Sequence, residues 1–156
     1  MGRDTEQQLL TRIQSEQNPV KKAKEEIKLA SLKLTQVHDA YSQGRTEEGA
    51  KFLAAFLDSV RTSLKILRDS GRKAAKQPQG FRELEISLRE EVRVLQDLER
   101  TVPYFDRAPL ENAVQELEQM RGEVIRELFP GGPPRTSKGS PSPQPVTAPG
   151  TPAEAR

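Results

Sequence analysis

Apolar residues recur along this chain at alternating steps of three and four, and the longest such run is Val20, Ala23, Ile27, Ala30, Leu34, Val37 and Tyr41. That spacing keeps every member on one side of an α-helix, so it predicts one long helix with a continuous face to bury. Leu29 and Leu32 fall on the opposite side, which predicts that the middle of this helix is covered a second time. Asn18 is placed to cap the free amides at its start, and Pro19 can take the first helical position without losing a bond. Gly44 can adopt the left-handed conformation that closes the helix, and Thr46 is placed to cap the next one. A loop of about three residues between them forces antiparallel neighbours. The second helix answers with Phe52, Leu53, Phe56, Leu57, Val60, Leu64 and Leu67, and Ser70-Gly71 ends it.

Residues 4–16 predict a short helix with Leu9, Leu10 and Ile13 on one side, marginal alone and in need of something to lean on. After the hairpin, 71–80 is a basic connection closed by Pro78 and Gly80, with a turn of helix at its start as a possibility. A third long helix is predicted over 81–102 from Phe81, Leu84, Leu88, Val92, Leu95, Leu98 and Val102, with Ile86 and Val94 off its seam. Pro103 stops it, and the PYFDRAP loop leads into a fourth helix, with Asp106 as candidate cap and Pro109 near the first turn. Leu110, Val114, Leu117, Met120, Val124, Ile125 and Leu128 mark that helix. From 130 to 156 the composition changes: eight of the twelve prolines lie there, with four glycines and six Ser or Thr. Such a segment buries too little apolar surface to offset its ordering entropy, so it reads as disordered, and its PSPQP run as a possible polyproline ligand or a plain solubilising tail. The fold class expected is all-α: an antiparallel up-down bundle of four long helices over 18–129, with a short N-terminal helix or arm (1–17) and a disordered Pro-rich tail (130–156). Seams of this spacing favour helix crossings of about 20°.

Composition narrows the chemistry. Only seven residues are aromatic, none is Trp, and 31% are charged, so the core is aliphatic and the helices amphipathic. The absence of Cys removes disulfides, zinc-thiolate sites, iron-sulfur clusters and cysteine nucleophiles together. The net charge of +2 hides a separation: Arg61, Lys65, Arg68, Arg72, Lys73 and Lys76 stand against Asp69 alone over 61–76, whereas 83–118 carries ten acids against four arginines. Arg61, Lys65, Arg68 and Arg72 recur at four, three and four, a stripe suited to phosphates of nucleic acid or of an acidic membrane. The same residues equally suit pairing with the acidic third helix, simple solvation, or the dipole at the end of their own helix. No aromatic residue is interleaved with them to stack on bases.

Catalysis finds little support. Four-helix bundles hold two-metal carboxylate sites through Glu-x-x-His pairs, but the only histidine, His38, is preceded three residues earlier by Thr35. His38 reads as a half-buried residue at the seam margin, satisfied by a neighbouring acid. The Glu83, Glu85, Glu90 and Glu91 cluster points to several helix faces, as a solvated acidic surface does. The expectation is a non-catalytic binding or scaffolding module without cofactor or metal and without an evident small-molecule substrate. Its candidate interaction surface for a protein partner or for self-association is the off-seam set Leu29, Leu32, Ile66, Ile86 and Val94. The alternative is a binder of nucleic acid or acidic membrane through 61–76.

Two resemblances bear on this. AYSQGRTEEGAKFL at 40–53 resembles the turn of a tetratricopeptide hairpin, but no copy recurs at a period of about 34 residues and the helices are too long for that repeat. NPVKKAKEEIKLA at 18–30, SGRKAAKQPQGFRELEISLRE at 70–90 and RTVPYFDRAPLE at 100–111 together resemble an uncharacterised family of small bacterial helical proteins. That resemblance implies an all-α domain over 18–130 and brings no activity, cofactor or site residue. Members of such a family often begin with an export segment, whereas MGRDTEQQLL lacks the apolar core of one. The expected location is cytoplasmic as written, or outside the cytoplasm if an upstream signal segment is missing.

Overall fold

A computed structural model describes residues 5–131 and contains five α-helices: α1 (Glu6–Ser15), α2 (Pro19–Ser42), α3 (Thr46–Asp69), α4 (Phe81–Glu99) and α5 (Ala108–Leu128). No strand is present among the described residues. The four long helices form an antiparallel up-down bundle, and of the proline-rich segment expected to be disordered all but Pro130 and Gly131 lies outside the described residues. Helices α2 and α3 make one hairpin, closed at Gly44 with φ of 79°; α4 and α5 make the second. Two observations fix their relation. Lys24 and Glu83, near the starts of α2 and α4, lie 3.8 Å apart, so these two helices rise from the same end. Arg61 pairs with Glu116 and Arg68 with Glu123 and Glu127, in the same order along both helices, so α3 and α5 descend side by side.

The seams close on one another as their spacing requires. Val37, Phe56, Val60, Leu67, Phe81, Leu84, Leu88, Leu95, Leu110 and Leu117 belong to one continuous buried core. A Cβ on Gly49 would come within 2.7 Å of the Tyr41 ring, so the absence of a side chain there permits the close approach of α2 and α3 beside their turn. Helix α1 lies on the far side of α2, where Leu9 and Ile13 bury Leu29 in a small second cluster with Leu32 at its edge. Lys33 fastens it by a 2.6 Å bond to Glu6, and a reciprocal capping box of Thr5 and Gln8 sets its start. Asn18 caps α2 as expected, accepting from the Lys21 amide at 3.0 Å.

Several expected boundaries move. Thr46 is inside α3 and does not cap it; Arg45 holds the cap position and its guanidinium binds Gln43 and Glu48. Helix α4 ends at Glu99, before Val102, because Pro103 disfavours helical backbone in the residue preceding it. Val102 nonetheless stays buried, so it serves the core from a turn. Asp106 sits within a short 3-10 turn, Tyr104–Asp106, and makes no side-chain cap to α5, whose first turn holds Pro109.

Candidate functional site

The five off-seam apolar residues do not gather into one surface. Leu29 and Leu32 lie beneath α1, which is the second covering that their position on α2 predicts. Ile66 and Val94 are half-buried against the main core, and only Ile86 stands out, with 46% of its surface exposed. The proposed interaction surface is therefore corrected: a helix side free in a linear reading is used by a neighbour that the reading did not assign to it.

The basic stripe also divides. Arg61 binds Glu116 through two bonds of 2.6 and 2.8 Å, Arg68 bridges Glu123 and Glu127, and Lys65 reaches Asp69 at 2.7 Å. The Arg61 bond holds the Glu116 carboxyl below its ordinary pKa, and the Glu127 bond raises that of the Arg68 guanidinium. Leu64, Met120 and Gln119 complete a shallow groove of about 400 Å³ between α3 and α5 in which these charges cancel. The free part of the stripe is Arg72, Lys73 and Lys76 on the α3–α4 connection, none of which has an ion pair among the described residues. The acids that pair with Arg61 and Arg68 come from α5 and that of Lys65 from α3 itself, not from the acidic α4 to which sequence pattern points.

The carboxylates of α4 have separate fates. Glu83 accepts the Gly80 amide at 2.7 Å and closes the helix start. Glu85 is shared by Arg89 and Arg121, each at 2.8 Å; burial opposes its ionisation, but the two guanidiniums outweigh that and keep its pKa low. Glu91 corrects the expectation of a solvated acidic face. It occupies a seam position between Leu88 and Leu95, only 4% exposed, and burial pushes its pKa up to about 7 against the bond from the Ser87 hydroxyl. Its Oε1 has no hydrogen-bond partner among the described residues. His38 is exposed, not half-buried, with its Nδ1 3.7 Å from Asp39. Among the described residues no group of three or more His, Asp or Glu side chains could hold a metal ion, and no helix is long and apolar enough to cross a membrane.

Two features emerge that residue-by-residue reading missed. At the end where α2 meets α3, the α4–α5 loop presents Tyr104 and Phe105, each 82% exposed. They ride on a closed turn: the Asp106 amide donates to Pro103 at 2.9 Å, the Arg107 amide to Tyr104 at 3.2 Å, and the Arg107 guanidinium to the Val102 carbonyl at 3.3 Å. Burial and the nearby Asp106 carboxylate both raise the Tyr41 pKa, which sets this turn against the end of α2. At the other end, the α3–α4 connection and the end of α5 enclose a mainly apolar crevice of about 510 Å³. The first feature had a signal in sequence, adjacent aromatics after a proline in a loop; the second is assembled from three distant segments and had none. Compared with known proteins, the chain matches no family model, no curated protein and no solved structure.

Proposed function

We propose that this chain is a non-catalytic binding or scaffolding module that engages a protein partner through the Tyr104–Phe105 tip. The observation that carries the reading is the near-complete exposure of two adjacent aromatic side chains on a hydrogen-bonded turn. Aromatic residues bring much apolar area at small cost in conformational entropy, which is why they dominate the energetic centres of interfaces. The turn fixes their backbone in advance, so less order has to be imposed on binding. Along 97–111 Asp97, Glu99, Asp106 and Glu111 outnumber Arg100 and Arg107. The matching surface is an apolar pocket bordered by cations on another protein; an acidic membrane would meet this end with like charge.

A photo-reactive phenylalanine analogue at position 105 tests the reading in cells that make the protein. A discrete protein adduct is expected from position 105 and none from position 86, which is also exposed. The adduct should be lost when Tyr104→Ser is added, while the melting temperature stays unchanged. Equal labelling from both positions, or none from 105, would sink the proposal.

A further inference from the structure

The crevice at the opposite end has the build of a small-molecule site. Ala74 and Pro78 from the connection, and Ile125, Leu128 and Phe129 from the end of α5, form its apolar walls. Phe129 remains 40% exposed, and Ile125 and Leu128 are half-buried, so this apolar surface is unfilled by the chain's own described side chains. The volume falls within the range of about 300–1,000 Å³ that ligand pockets occupy. Its polar rim carries two guanidiniums, Arg82 and Arg89, and one carboxylate, Glu85. Arg82 has no carboxylate within ion-pair distance among the described residues, while Glu85, the one acid at the wall, is already shared by Arg89 and Arg121. Arg72, Lys73 and Lys76 extend the positive charge along the connection.

We infer that this crevice binds a single-chain amphipathic anion, a fatty carboxylate, with the alkyl chain against Ile125, Leu128 and Phe129 and the carboxylate at Arg82. Charge complementarity selects this occupant. A guanidinium offers a planar fork that matches a carboxylate through two parallel bonds. The chain's own residues 132–156 carry Arg135, Lys138 and Arg156 against Glu154, a net charge of the same sign as Arg82. A bilayer surface needs a protruding or flat contact, whereas this site is a concavity of single-chain size. The inference is independent of the aromatic tip, which lies at the other end of the bundle.

The full chain, titrated with dodecanoate below its micelle concentration, tests the assignment by calorimetry and amide NMR. One dodecanoate per chain is expected, with shifts centred on residues 74–89 and 125–129. Octanoate should bind at least about tenfold more weakly, since four buried methylenes are removed. Arg82→Glu should weaken dodecanoate at least about tenfold, and Ala75→Trp, at an exposed wall position, should abolish binding by filling the crevice. Both variants leave every described ion pair in place, and circular dichroism verifies their fold. Four results would each overturn the inference: no saturable binding; equal binding of dodecyltrimethylammonium, which has the chain but the opposite charge; full binding by Ala75→Trp; or binding to phosphatidylglycerol vesicles with none to the free carboxylate.

Discussion

The two ends of the bundle solve the same problem, joining antiparallel helices, with opposite surfaces. At the tip, the α4–α5 loop turns its aromatics outward, and the stretch 97–111 that contains it carries four acids against two arginines. At the base, the α3–α4 connection turns inward: Ala74 is buried, the Ser70 hydroxyl donates to Leu67, and the Gln77 amide donates to Lys73 at 2.8 Å. Arg72, Lys73 and Lys76 on the connection and Arg82 in the first turn of α4 follow one another with no acid between them. Both connections carry local backbone bonds and both send one residue into the core, Val102 at the tip and Ala74 at the base. The difference teaches that such ties leave the remaining side chains free to differ: the tip holds two large aromatics in water, and the base holds cations.

The sharpest test of this contrast uses the glycines that close each end. Gly80 has φ of 87°, and a Cβ there would lie 2.5 Å from Leu67, itself 0% exposed and unable to move without disturbing the core. Gly44 has φ of 79° with nothing within 4 Å of an added Cβ. Gly80→Ala should therefore cost the left-handed strain plus overpacking, about 3–4 kcal/mol, and Gly44→Ala the strain alone, about 1 kcal/mol. Guanidinium denaturation of both variants checks this. Equal costs would mean that the base is no more tightly tied than the tip.

Much of this fold was legible because helical periodicity is a local property of sequence. The seam from Phe81 to Leu98 and the capped hairpin from Asn18 through Gly44 needed no knowledge of neighbours. What was not legible depended on which helix lies beside which. The spacing marks Leu29 and Leu32 as needing cover and equally suits them to a free surface, because nothing in it assigns α1 to them. The arginines of α3 found their acids on α5 since these two helices descend together, a choice made by packing. Glu91 was read as solvated from its charge, although its place between Leu88 and Leu95 put it on the seam. The crevice joins 74–78, 82–89 and 125–129, and no linear pattern links them.

Glu91 lies midway between the ends and tests whether they stand or fall together. Its pKa is raised from 4.5 to about 7 in the folded chain, so the folded state holds more protons than the unfolded state between those values. The group's contribution is therefore favourable below about pH 4.5, is lost as pH rises, and is gone above about pH 7. Glu91→Gln, neutral at every pH, should match the parent near pH 4.5 and exceed it by about 2–3 kcal/mol at pH 8. Hydrogen exchange near Gly44 and near Gly80 should strengthen together in that variant if the bundle unfolds as one unit. Protection gained at one end only would divide the molecule into two separately stable halves. A flat difference between the two proteins from pH 4.5 to 8 would mean that Glu91 finds a partner for its charge.

The smallest effect is expected along the flank between the ends, and its smallness is what makes the ends stand apart. Arg61 pairs with Glu116 there, and Arg68 with Glu123 and Glu127, while the two arginines remain 51% and 41% exposed at the side chain. Exposed pairs of this kind contribute about 0.2–1 kcal/mol each, because solvent screens them and two long side chains must be held in place. Arg61→Met and Arg68→Met should each destabilise by less than about 1 kcal/mol, and the loss should fade in about 1 M salt, where the screening length falls to about 3 Å. Thermal melts at low and high salt give the comparison. A loss as large as that of Gly80→Ala, persisting in salt, would make the groove a structural joint between the hairpins. A small, salt-sensitive loss instead leaves it a strip of screened ion pairs, set between an acidic excess along 97–111 and a basic excess along 72–82, where the two proposed partners differ in kind.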